Sequence, residues 1–197
     1  MPQEDGSDLP VYNFIYDVVD LFFLIAVEDP KVQKYRTQFK TRDGTEVVYR
    51  PIRPDDDEKI LEFYYSLSRE TVYFRFFSGR KNIPKSRVRQ YTHIDYQRNF
   101  ALVVEAEGKI VGIGHFIVTE NQDTAEMAVV IHDDWQKKGI GTHLLGYLIT
   151  IARERGIKHI TATVLLENYK ILKTIEKLGF KFSKKLAEGD LLVQADI

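Results

Sequence analysis

Ala125-Glu126-Met127-Ala128-Val129-Val130-Ile131-His132-Asp133-Asp134-Trp135-Gln136-Lys137-Lys138-Gly139-Ile140-Gly141-Thr142 passes from a strand-like apolar run, through a polar loop, into two glycines spaced by one residue. Helical periodicity then continues over Gly139–Arg155. Glycines at a helix start let backbone N–H groups approach an anion, the macrodipole adds partial positive charge there, and Lys137 and Lys138 add whole charges. The stretch reads as a pyrophosphate cradle. It is neither of two other phosphate loops, because GxGxxG does not fit glycines at 139, 141 and 146 and no GK[ST] is present. A plain helix start with basic residues for solubility is the competing reading of this loop taken alone.

Outward from it, the chain alternates strands and helices. Glu46–Ile52 alternates like a strand, and Pro54-Asp-Asp-Asp-Glu58 opens a helix with acids at its positive end. A short helix is expected after Pro84. Phe100–Ala106 and Lys109–Thr119 read as strands joined at Glu107-Gly108, and Thr124–Ile131 as the next strand. Beyond the long helix come a strand over Ile157–Leu165, a helix over Asn168–Leu178 ending at Gly179, and a closing pair, Phe180–Leu186 and Asp190–Ala195, around Glu188-Gly189. The order β α α β β β α β α β β describes one α/β domain.

Composition narrows the function classes. With 28 Lys+Arg against 29 Asp+Glu, no global charge draws the chain to nucleic acid or an anionic membrane. The absence of cysteine excludes a thiol nucleophile, a disulfide framework and sulfur-ligated zinc, and the five scattered histidines lack metal-ligand spacing, so no metal is expected. Charge is unevenly spread: residues 1–30 hold seven acids and no Lys or Arg, leaving 28 basic against 22 acidic residues, a net of +6, in the rest. Val11–Val27 is apolar but carries Asn13, Asp17 and Asp20, which suits a soluble, partly buried helix rather than a membrane span. Residues 1–38 are therefore expected to form an acidic, apolar-rich helical extension that docks on the basic body, and residues 39–197 the catalytic domain.

At the glycine loop the sequence resembles the GCN5-related N-acetyltransferase (GNAT) family, whose acetyl-CoA motif is [Q/R]xxGx[G/A]; Gln136-Lys-Lys-Gly139-Ile-Gly141 matches it. Asn168 and Glu176-Lys-Leu-Gly179-Phe180 match the second family signature. Asp43-Gly-Thr45, Arg50-Pro-Ile-Arg-Pro54, Tyr73-Phe-Arg-Phe-Phe-Ser78, Thr92-His-Ile-Asp-Tyr96 and Ala125-Glu-Met-Ala128 are similar to the bacterial protein lysine acetyltransferases that modify acetyl-CoA synthetase. The resemblance covers roughly residues 40–185. It implies a mixed, mostly antiparallel twisted sheet flanked by helices, in which the fourth strand splays from the fifth. It also implies acetyl-CoA as cosubstrate, with the pantetheine arm on the backbone of Val129, Val130 and Ile131. The pyrophosphate would lie on the N–H groups from Lys137 and Lys138 through Gly139, Ile140 and Gly141 to Thr142, with Gln136 in the motif and Asn168 on the arm or its water network.

A lysine amine at pKa about 10.4 needs a base before it can attack a thioester near neutral pH. The resemblance makes Glu126 that base. Strand alternation puts Glu126 on one face with Ala128 and Val130, so partial desolvation and a raised pKa are expected. Glu105 and Glu167 are weaker alternatives. One departure stands out: the tyrosine that serves the family as general acid toward the leaving thiolate is here Ile175, with water or Tyr169 as substitutes. The Tyr73–Phe77 cluster is expected to be core packing with Arg75 as a buried partner. The expected partner is a protein lysine, on an acyl-CoA synthetase type target, in the cytoplasm, with a homodimer as one form of the enzyme. A small-amine acceptor and a non-catalytic acetyl-CoA sensor are the alternatives.

Overall fold

The computed structural model describes residues 29–77, 79, 82–187 and 189–197, so the helix expected over Val11–Val27 lies outside the described residues. Helix α1 (Pro30–Gln33) is capped by Asp29, whose carboxylate accepts from the Lys31 N–H at 2.8 Å, with proline at its first position. A hairpin of β1 (Thr37–Lys40) and β2 (Glu46–Pro51) follows, then helices α2 (Asp57–Ser66), α3 (Arg69–Phe76) and α4 (Lys85–Thr92). The meander β3 (Asn99–Ala106), β4 (Lys109–Val118), β5 (Thr124–Ile131) leads through α5 (Ile140–Glu154) to β6 (His159–Val164). Helix α6 (Tyr169–Lys177) and the hairpin β7 (Phe182–Ala187), β8 (Asp190–Asp196) complete the chain. The strands form one sheet in the order β1-β2-β3-β4-β5-β6-β8-β7, antiparallel except between β5 and β6. Among the described residues no helix is long and apolar enough to cross a membrane.

Two elements escape the sequence reading. Strand β1 pairs Thr37 with Tyr49 and Lys40 with Glu46, and Val32 and Tyr35 are buried in the same core, so the boundary expected between residues 38 and 39 falls inside a strand. Helix α3 falls where the sequence suggests only a packing cluster, Tyr73–Phe77, with Arg75 as a buried partner. It is a helix because Ser68 caps it, accepting from the Thr71 N–H at 3.1 Å, while Asp133 accepts from the Ser68 N–H and hydroxyl and from the Thr71 hydroxyl at 2.7–2.8 Å. Burial pushes the Asp133 carboxyl up, but these donors outweigh it and hold it below the usual range. The start of α3 is thereby fastened to the loop after β5.

The sheet has two dissimilar faces. On one, Gly112, Gly114 and Phe116 of β4 lie beside Ile131, Val129 and Met127 of β5, and α5 packs over them with Ile140, Leu144, Leu148, Ile149 and Ile151 almost wholly buried. Each such side chain contributes about 1.5–3 kcal/mol of burial. A Cβ at Gly114 would come within 2.7 Å of Leu148 and 3.0 Å of Leu144, so this glycine sets how closely α5 lies on the sheet. On the other face, α2, α3 and α4 cover Ile113, His115 and Val130 around an apolar cavity of about 280 Å³. Arg50, buried on β2, pairs with both oxygens of Asp56 at 2.7 Å and with Glu105 at 2.5 Å, tying β2 and β3 to the start of α2.

Candidate active site

The ladder between β5 and β6 is three residues long: Thr124 with His159, Ala125 with Ile160, Glu126 with Thr161. Beyond Glu126 the strands part. Strand β5 stays paired to β4 as far as Ile131, and β6 to β8 as far as Val164, so the edge of β5 from Met127 onward faces an opening rather than a neighbour. Its backbone groups on that side have no ladder partner, and an unpaired strand edge is a row of donors and acceptors available to a ligand. A narrow cleft of about 110 Å³ lies between the diverging strands, walled by Ile171, Ile175 and Leu178 of α6 and its following turn.

The cleft opens into a groove of about 340 Å³ that reaches the start of α5. Val129, Val130, Ile131, Gln136, Lys137, Gly139, Gly141, Thr142 and Asn168 all line it. Gly139, with φ +93°, caps α5 without any side-chain hydrogen bond, and the first turn of a helix has no intrahelical acceptors for its N–H groups. Gly141 is different: a Cβ there would make only ordinary contact with Ile131 at 3.5 Å. The fold itself does not demand glycine at 141, which points to what approaches from the groove.

Four expected ligands are engaged within the protein. Gln136 donates through Nε2 to the Ile131 carbonyl at 3.1 Å and to Thr71 Oγ1 at 3.3 Å, so it braces the loop between β5 and α3. Lys138 does not line the groove: it pairs with Asp43 at 2.8 Å and lies 4.6 Å from the Trp135 ring centroid, and its ammonium holds the Asp43 carboxyl far below the usual range. Ile140 has its side chain in the core and can offer only backbone. Asn168 faces both groove and cleft while its Oδ1 accepts from the Ile171 N–H at 3.3 Å, capping α6.

The groove also recruits residues that the sequence reading passed over. Arg42, Arg75, Lys170, Lys173 and Lys177 join the expected Lys137 in lining it, with no carboxylate among the lining residues, a field suited to several phosphates. Lys170, Lys173 and Lys177 stand at i, i+3 and i+7, a helical stripe that was available as a signal. Arg42 is held near the loop by its N–H, which donates to the Lys138 carbonyl at 3.1 Å.

Glu126 sits at the last rung before the strands separate, opposite Ile117 of β4 and beside Thr161 of β6. Its face is the one away from α5, with Ala128 and Val130, as alternation requires. The desolvation expected there is absent: Glu126 is exposed, and Ile117 beside it is 47% exposed. Of the weaker alternatives, Glu105 is consumed by Arg50 and by Lys59 at 3.5 Å, and hydrogen bonding from Arg50 outweighs burial to hold it low; Glu167 is exposed in the turn before α6.

The Tyr73–Phe77 cluster is not simple packing. Tyr73 and Phe77 are over two-fifths exposed, Phe74 lines the groove, and Arg75 lines groove, cleft and apolar cavity together. The Arg75 guanidinium lies 3.4 Å from His115 Nδ1 and 5.2 Å from the Phe76 ring centroid, and among the described residues its buried Nε has no hydrogen-bond partner. Burial lowers the pKa of Arg75, opposed by the fields of Tyr91 and Glu126, yet a guanidinium stays cationic in a protein. Burial first, then the Arg75 charge, pull the His115 imidazole down to about 3. His115 is therefore neutral, and since arginine has no acceptor its Nδ1 carries the lone pair. Among the described residues no group of three or more His, Asp or Glu could hold a metal.

The family model described as Acetyltransferase (GNAT) family matches residues 61–180. Acetyltransferase Pat of Mycolicibacterium smegmatis is 34% identical over 144 residues, which are 71% of this chain and 43% of that protein. Acetyltransferase PA5475 of Pseudomonas aeruginosa is 32% identical over 142 residues, 70% of this chain and 76% of that protein. This chain thus spans less than half the length of Pat. The crystal structure of the GNAT domain of S. lividans PAT superposes with a TM-score of 0.79 at 28% identity, covering 83% of this chain and 98% of that one.

Proposed function

The chain belongs to the GNAT acetyltransferase family, and from that premise we propose that it moves the acetyl group of acetyl-CoA to the ε-amine of a lysine on a protein, with Glu126 as general base. The observation that carries this reading is the parting of β5 from β6 at Glu126, which opens onto a groove lined by six cations and no carboxylate. Those residues suit coenzyme A: the N–H groups at Gly139, Ile140, Gly141 and Thr142 would receive the pyrophosphate, Lys170, Lys173, Lys177 and Arg42 its outer phosphate charge, and the free β5 edge at Val129–Ile131 the amides of the pantetheine arm. When bound, acetyl-CoA supplies the activated thioester. The chain's own part is to fix that thioester beside the β5 backbone and to take the proton of the incoming ammonium at the Glu126 carboxylate.

An open acceptor side favours a protein over a small amine. A pocket built for a polyamine would be closed and acidic, whereas Glu126 is exposed, Ile117 beside it is exposed, and Phe77, in the cleft lining just after α3, is 41% exposed. Lysine bound to a protein surface reaches such a site by its side chain. The GNAT bodies of Pat and of S. lividans PAT point the same way.

The full chain incubated with acetyl-CoA and an acyl-CoA synthetase, read by mass spectrometry, should give acetyllysine. Glu126→Gln should keep coenzyme affinity while lowering turnover about 10²–10⁴-fold, the usual contribution of a general base, and the deficit should shrink as pH rises toward the amine's own pKa. Faster acetylation of spermidine or free amino acids than of the protein would overturn the acceptor class, and unchanged Glu126→Gln turnover near neutral pH would overturn the base.

A further inference from the structure

The departure at Ile175 leaves a gap in the chemistry. Ile175 is buried in the wall of the cleft between β5 and β6 and can neither donate a proton nor stabilise charge. Tyr169, the other candidate, is 67% exposed at the start of α6 and lines neither groove nor cleft. Breaking a thioester nonetheless puts a full negative charge on sulfur inside a largely apolar cleft, where an unbalanced charge is expensive. We propose that Arg75 fills this gap: it is the catalytic cation that holds the coenzyme thiolate as it leaves. The inference rests on the acetyl-CoA reading above.

Three observations carry it. Arg75 is the one charged side chain among the described residues that line the cleft, and it also lines the groove, so it stands where the coenzyme's path meets the parting strands. It shares the cleft lining with Met127 and Ala128, which follow Glu126 on β5, and with Thr161, the rung partner of Glu126 on β6. Among the described residues its buried Nε has no hydrogen-bond partner, although a buried guanidinium N–H is ordinarily satisfied, so the cation is left incompletely neutralised there. His115 explains how the group is oriented: its Nδ1 accepts from one terminal nitrogen at 3.4 Å and fixes the plane of the guanidinium. The other titratable groups facing Arg75 are Tyr91 from α4 and Glu126 from β5, while β6 and α6 contribute only uncharged groups such as Thr161, Thr163 and Asn168 to the cleft.

The step balances without an acid. The incoming ammonium gives one proton to Glu126, which passes it to solvent; the freed amine lone pair forms the C–N bond to the carbonyl carbon, the C–S bond breaks with its electron pair on sulfur, and the nitrogen's second proton leaves to Glu126 and solvent, giving the neutral amide. Arg75 contributes charge and an N–H but no proton, and the thiolate takes its proton from solvent after release. A thiol of pKa about 8.5 is a good enough leaving group for this, and a neighbouring cation lowers such a pKa further.

The test uses free coenzyme A and the unmodified chain first. Titrated by its ultraviolet thiolate absorbance, the bound thiol should lose its proton at least about one pH unit below the free thiol. Coenzyme A should correspondingly bind about tenfold more tightly than desulfo-coenzyme A once pH exceeds the free thiol's pKa. In Arg75→Met both differences should vanish while desulfo-coenzyme A binds as before; Arg75→Lys should restore part of them, and Glu126→Gln should not abolish them. A bound thiol that titrates at its free value in the unmodified chain overturns the proposal and leaves the acetyl-CoA reading intact, even if the variants fail to fold. Failure to bind either coenzyme overturns both. A depressed thiol pKa that survives Arg75→Met assigns the effect to another group and overturns the proposal alone.

Discussion

Strands β1 to β5 pair along most of their length, and their inward side chains, among them Tyr49, Phe100, Leu102 and Phe116, are fully buried. Strands β6 to β8 pair equally well with one another, yet β6 is mostly half-buried and β7 is exposed along five of its six residues. Three rungs join the two groups. The larger group is a core that happens to carry ligand-facing backbone on its last strand; the smaller is a wall set against it. Both groups of the proposed mechanism, Glu126 on β5 and Arg75 on α3, thus belong to the better-packed side, and the thinner side forms the opposite wall of the cleft.

Substitutions can break or sharpen that contrast. Phe116→Ala, in the middle of the larger group and stacked on Phe100 at 5.3 Å, should cost about 3–5 kcal/mol in chemical denaturation; a loss below ~1 kcal/mol would mean that the two groups are equally well packed. Gly141→Val, in the groove at the start of α5, should weaken coenzyme A binding about tenfold or more by calorimetry with little change in melting temperature, and more than Lys137→Ala does. Equal affinity there would reduce the loop to a helix start. Leu186→Ala on β7, 64% exposed, should stay within about 0.5 kcal/mol of the parent.

Most of this architecture was legible in the sequence because its strands alternate and its turns carry glycine. Lys109–Val118 and Thr124–Ile131 fall within a residue of where alternation puts them, and the glycine loop opens α5 as its spacing implies. Strand β1 was not legible, since Thr37-Gln-Phe-Lys40 is four residues with a single apolar side chain and is ordered by pairing with β2. Helix α3 was hidden for a related reason: its cap partner, Asp133, is 65 residues from Ser68. At the site, residue types could be read but not their engagements. Gln136 and Lys138 look like ligands in a motif and are found bracing the loop, while Arg75 looks like packing and lines every cavity of the site. The Glu126 environment failed for the opposite cause: alternation gives the face correctly but says nothing of what covers it.

The parting of β5 from β6 has a consequence for solubility. An unpaired strand edge on the outside of a sheet invites another chain to add to it and seeds aggregation. Here the open stretch from Met127 to Ile131 is interior, with β4 on one flank, β6 and α6 across the opening, and a gap whose volume is about 110 Å³. The edge is presented inside a cleft that the coenzyme would fill, not along the outer margin of the sheet where a second chain would add to it. The molecule thus exposes strand chemistry to a small ligand while denying the same edge to its own copies.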